Sequence, residues 1–126
     1  MVSPLVVRDW GAMTTDREPT ASEILVISSR RDGNRAVVAL GGELDLHGSE
    51  RLTAEVQRVL READGVERVE IDASDLTFAD SAGLRAVLKA RDDTQTTGMT
   101  FAVIAVSAPV ERVIEMAGLT DVLLTG

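Results

Sequence analysis

The residues best placed to do chemistry are Asp80 and Ser81, inside the stretch Asp75-Leu76-Thr77-Phe78-Ala79-Asp80-Ser81-Ala82-Gly83-Leu84. An apolar strand pattern ends at Ile71, a mixed loop follows, and a helical pattern begins at the serine. Two roles suit a polar side chain there. Either Asp80 or Ser81 caps the helix by accepting a bond from a free backbone N–H. The serine hydroxyl also suits phosphoryl transfer, because a helix start offers unpaired N–H groups and the positive end of the helix dipole to a phosphate. The two roles are compatible.

Little else in the chain is equipped for catalysis. The single histidine, His47, follows Leu44-Asp45-Leu46 and is most simply a solvated loop residue. Asp45 and His47 lack further ligands at metal-binding spacing. Cysteine and tyrosine are absent, which removes thiol catalysis and disulfides. Neither a GxxxxGK[ST] loop nor a GxGxxG turn occurs, so the phosphate-cradling fingerprints are missing. The expectation is a protein that is not an enzyme, with no cofactor and no metal.

Composition narrows the partners. A formal charge of −8 argues against a phosphate backbone or an anionic membrane as the binding surface. The only aromatics are Trp10, Phe78 and Phe101, too few for a base-stacking platform. The core must therefore be aliphatic. No apolar run reaches the roughly 20 residues that span a bilayer, and no secretory signal is visible. The absence of cysteine suits a reducing cytoplasm.

These residues must be positioned by a scaffold of about 100 residues. Residues 1–21 mix prolines and polar residues around the short run Leu5–Val7, and are expected to form a mobile leader; an extra edge strand centred on Val6 is the alternative, and Met13 is a second possible start. From residue 22 to 126 the pattern is that of one domain. Ile24–Ser28 and Arg35–Leu40 flank Arg31-Asp32-Gly33-Asn34, a hairpin signal. Gly41-Gly42 is expected to end the second strand. Leu52, Val56, Val59, Leu60 and Ala63 recur at helical spacing over 49–63, and Val66–Ile71 alternates as a strand. A helix follows Asp80-Ser81, with Leu84, Val87 and Leu88 as its apolar stripe. Met99–Val106 suits a strand buried on both faces. Ser107-Ala108-Pro109 opens a third helix closed by Gly118, and Asp121–Leu124 is expected to be a last short strand. The order β-β-α-β-α-β-α-β implies an α/β fold, one mixed sheet of four to five strands covered by helices.

Three segments, taken in register, carry a family resemblance. Leu76-Thr77-Phe78-Ala79-Asp80-Ser81-Ala82-Gly83-Leu84, Gly42-Glu43-Leu44-Asp45, and Ser107-Ala108-Pro109-Val110-Glu111-Arg112-Val113 with Met116-Ala117-Gly118-Leu119 resemble the bacterial anti-sigma-factor antagonists. The resemblance implies the STAS fold and a partner-switching role. In that family the unphosphorylated antagonist binds an anti-sigma factor with a histidine-kinase-like ATPase fold and so frees a sigma factor. The anti-sigma factor is also the serine kinase that inactivates the antagonist, at the residue matching Ser81. A PP2C-type phosphatase reverses this. Asp45 and Asp80 match acidic positions near the phosphorylated serine. A STAS module serving a stressosome-like scaffold is the alternative role.

Ala82 departs from the pattern, since well-known members carry a second hydroxyl residue there; Ser81 is then the only acceptor in the motif. Many relatives also continue past the position of Gly126 into another helix, which leaves a monomer or a weak dimer open. With Leu84, Val87 and Leu88 facing the core, Ala82, Arg85, Ala86, Lys89 and Asp93 fall on the opposite helix face. That face, with Asp45, Asp80, Ser81 and Gly83, is the expected partner-binding surface.

Overall fold

The computed structural model describes residues 24–124. The leader expected over residues 1–21, with Trp10 and the alternative strand at Val6, lies outside the described residues. Four strands and four helices follow one another as β1 (Leu25–Asp32), β2 (Arg35–Leu44), α1 (Leu46–Arg61), β3 (Arg68–Ala79), α2 (Ser81–Thr96), β4 (Thr100–Val106), α3 (Ala108–Met116) and α4 (Thr120–Leu123).

The strands form one sheet in chain order, β1-β2-β3-β4. β1 and β2 pair antiparallel from Leu25↔Gly42 to Asp32↔Arg35. The turn between them is Gly33-Asn34, where Gly33 adopts φ +64°, a backbone conformation that glycine reaches without steric cost. β2 with β3 and β3 with β4 pair in parallel, so each later pair needs a helical crossover.

One apolar cluster joins the helices to the sheet. Leu52 and Val56 of α1, Leu84 and Val87 of α2, Val110 and Ile114 of α3, and Leu123 of α4 pack with Val38, Leu40, Val69 and Ile71. The alternate residues of the strands point away from it. In that second set Glu70 is buried and held by two guanidinium groups, Arg35 at 3.1 Å and Arg68 at 2.7 Å. A carboxylate removed from water stays charged at tolerable cost only with such partners.

Four expectations need correction. Gly41-Gly42 does not end β2, which runs on to Leu44 through two register shifts that accommodate the glycines. β3 likewise extends past Ile71 through the supposed loop to Ala79. β4 is an edge strand with Ile104 exposed, not a strand buried on both faces. The chain over 120–123 is a helical turn, α4, whose Leu123 is inserted into the core. Its apolar run serves a helix face packed on the sheet, and no strand follows β4 among the described residues.

Candidate functional site

Two helix starts lie side by side at one end of the sheet. The last parallel pair of β2 and β3 is Leu44↔Ala79. Asp45 follows the first of these and Asp80 the second, and each is the N-cap of the helix beyond it. The Asp45 carboxylate accepts from the Gly48 N–H at 2.8 Å, and the Asp80 carboxylate accepts from the Gly83 N–H at 2.8 Å. The segments Asp45-Leu46-His47-Gly48 and Asp80-Ser81-Ala82-Gly83 are thus the same capping device built twice. The Asp80 N–H donates to the Leu44 carbonyl at 3.3 Å and ties the two starts together.

This arrangement leaves the Ser81 hydroxyl free of the capping role. Asp80 performs the capping, and Ser81 occupies the first helical position, exposed, with its hydroxyl making no hydrogen bond among the described residues. The hydroxyls of Ser74, Thr77 and Ser107 are engaged or enclosed. Ser74 donates to the Asp72 carboxylate at 2.7 Å, and Thr77 donates to the Gly42 carbonyl at 3.1 Å. Ser107 stands at the start of α3, yet its hydroxyl makes no capping bond and its oxygen is buried without a partner.

Of the expected partner-facing residues, Asp45, Asp80 and Ala82 are half-buried, while Ser81, Arg85 and Lys89 are exposed. Gly83 and Ala86 are buried, and of the two only Ala86 lines a space open to solvent. Gly83 is pressed against the end of β2, and Ala86 faces α1, which lies along α2. A flat patch on one helix is thus not what forms. A groove of about 440 Å³ runs between the two helices, open to solvent along its length. One wall is Ala82, Arg85, Ala86 and Lys89, and the other is a stripe of α1 that includes Leu46, Glu50 and Ala54.

That second wall was missed from the sequence. The signal that points to it is the repeated Asp-x-x-Gly at the ends of two strands, which places α1 beside α2. Leu46, the α1 counterpart of Ser81, is 60% exposed, and Phe78, three residues before Ser81, is 45% exposed. Lys89 pairs with Asp93 at 3.1 Å across one helical turn. Arg85 and Glu50 have no ion-pair partner among the described residues. His47 is exposed at the second position of α1, and no group of three or more His, Asp or Glu that could hold a metal occurs among the described residues. No described helix is long and apolar enough to cross a membrane.

A second polar network braces α1 against the sheet. Glu55 accepts hydrogen bonds from Ser29 of β1 and from Arg58, whose guanidinium lies 2.6 Å from it and also reaches Glu62 at 2.8 Å. Burial acts to raise the Glu55 carboxyl, but the bonds from Arg58 and Ser29 and the Arg58 charge outweigh it and hold the group below the usual carboxylate range.

Comparison with known proteins agrees with the fold. The family described as "Mlab, STAS domain" matches residues 27–125. The anti-sigma F factor antagonist of Paenibacillus polymyxa is 30% identical over 87 residues, covering 69% of this chain and 74% of that protein. Among solved structures, an anti-sigma factor antagonist from Mycobacterium paratuberculosis superposes with a TM-score of 0.68 at 23% identity, over 81% of this chain and 86% of the other. The anti-sigma factor antagonist SpoIIAA in its unphosphorylated form gives 0.66 at 22% identity, over 79% and 86%. A match over most of its length, on a four-stranded mixed sheet with the paired helix starts described above, places this chain in the STAS-domain family that includes the anti-sigma-factor antagonists.

Proposed function

We propose that the protein is an anti-sigma-factor antagonist that works by partner switching and has no catalytic activity of its own. Unphosphorylated, it binds a cytoplasmic anti-sigma factor of histidine-kinase-like ATPase fold and so releases a sigma factor for transcription. The same partner phosphorylates Ser81, and a PP2C-type phosphatase restores the binding form. The observation that carries this reading is the state of Ser81. Its hydroxyl is exposed and unbonded at a helix start, while Asp80 does the capping and the neighbouring hydroxyls are engaged or buried.

Electrostatics favours a switch that acts on binding rather than folding. A phosphate brings about −1.5 to −2 charges to the N-terminus of α2, where the helix dipole favours it. Asp80, already bonded to the Gly83 N–H, opposes it, and the two effects partly offset. Burying that charge in an interface without a cationic partner costs several kcal/mol. A loss of about 2–3 kcal/mol weakens binding roughly 30- to 150-fold.

Incubation with candidate anti-sigma kinases and ATP, followed by site mapping, tests the reading. Label should fall on Ser81 and vanish in Ser81→Ala, which should bind the kinase constitutively. Ser81→Glu should stay folded and bind at least about tenfold more weakly, a loss of roughly 1.4 kcal/mol. Equal binding of phosphorylated and unphosphorylated protein to every candidate would sink the mechanism.

A further inference from the structure

We propose that the groove between α1 and α2 is a helix-docking site, taking an amphipathic helix of the anti-sigma partner. That helix has small or aliphatic side chains along its buried edge, a carboxylate over Arg85 and a cation over Glu50. The inference deepens the reading above and rests on it.

Shape is the first argument. Ala54 on one wall and Ala82 and Ala86 on the other keep side chains short, and the space of about 440 Å³ between the helices is left open. A small-molecule site encloses most of its ligand, whereas this groove is open along its length, which suits a rod laid into it. Leu46, 60% exposed at the end near Ser81, offers an apolar anchor that no described residue covers.

Charge is the second argument, and it selects the occupant. The other cation of the groove, Lys89, is committed to Asp93. Arg85 and Glu50 stand on opposite walls of the groove without ion-pair partners among the described residues. A helix with acidic and basic flanks complements both, while a polyanion would meet Glu50, and two copies of a chain of net charge −8 repel each other as they approach. Ala82 adjoins Ser81, so a phosphate there would sit at the groove's mouth. The proposed carboxylate of the docked helix would then approach a phosphate instead of a neutral hydroxyl.

The test uses the full chain and an anti-sigma kinase shown to phosphorylate Ser81. Ala54→Arg fills the groove far from Ser81, and Arg85→Glu reverses one wall; each should weaken binding of the unphosphorylated protein at least tenfold. Circular dichroism should be unchanged, and Glu111→Arg on α3 should bind as the wild type does. Because the chain has no cysteine, Gln57→Cys supplies a unique crosslinking point on the α1 wall. A crosslink to a helix of the partner is the expected result. Binding of Ala54→Arg within twofold of wild type overturns the groove, as does a crosslink to a partner loop or to a second copy of this chain. If no anti-sigma kinase binds or phosphorylates the unaltered chain, the Ser81 reading fails first and takes this inference with it.

Discussion

Gly83 packs so closely on the end of β2 that a Cβ at this position would lie 2.4 Å from the Leu44 carbonyl oxygen. The contact is with backbone that is itself bonded to the Asp80 N–H, so neither side yields cheaply. Alanine is ordinarily better than glycine inside a helix by about 1 kcal/mol. Here Gly83→Ala should instead destabilise by about 1–3 kcal/mol, the usual range for overpacking, as measured by urea unfolding. A gain in stability would show that the two helix starts are looser than described.

Capping resides on Asp80 and, in the proposed switch, phosphoryl acceptance on Ser81, so stability measurements should separate the two. Asp80→Ala removes the bond to the Gly83 N–H and should cost about 1 kcal/mol. Ser81→Ala removes an unbonded, exposed hydroxyl and should stay within about 0.5 kcal/mol of wild type. Equal losses in the two variants would return the cap to the serine.

Much of this site was legible in the residues. Asp80 and Ser81 stood out because a polar pair precedes a helical stripe, and Gly33-Asn34 announced its hairpin. Ala86 was misplaced because a helical wheel separates core from solvent but cannot show that a second helix lies along the flank. The extension of β3 to Ala79 was hidden by register shifts that break the two-residue alternation. Glu70 likewise sits at an outward position of an alternating strand beside Arg68, and only the fold brings Arg35 onto it.

Acid should loosen the brace between α1 and the sheet. The folded Glu55 carboxyl is held below its ordinary value of 4.5, so its contribution is fully present above that value. It is lost as pH falls through the lower folded value. Glu55→Gln should therefore be less stable than wild type at neutral pH, with the gap closing in acid. Chemical denaturation at pH 7 and pH 3 checks this, and a gap independent of pH would assign the loss to packing alone.

Leu123 tests the helical reading of the C-terminal segment. It is 1% exposed and lines, with Leu40, Ile71 and Ile114, an internal apolar void of about 20 Å³. Leu123→Ala enlarges that void and should cost about 2–5 kcal/mol. Val122→Ala, at a 38% exposed neighbour, should cost far less. A reversed ranking would mean that the segment presents its other side to the core.

The sheet's neighbour order has a kinetic consequence. Because β1, β2, β3 and β4 are adjacent in space in the order in which they leave the ribosome, no strand must wait for a later one to be inserted between it and its partner. The hairpin closes through a two-residue turn, and each subsequent βα unit docks on an edge already made. Such a chain assembles by accretion in one direction, with loop-closure costs met in small instalments along the sequence.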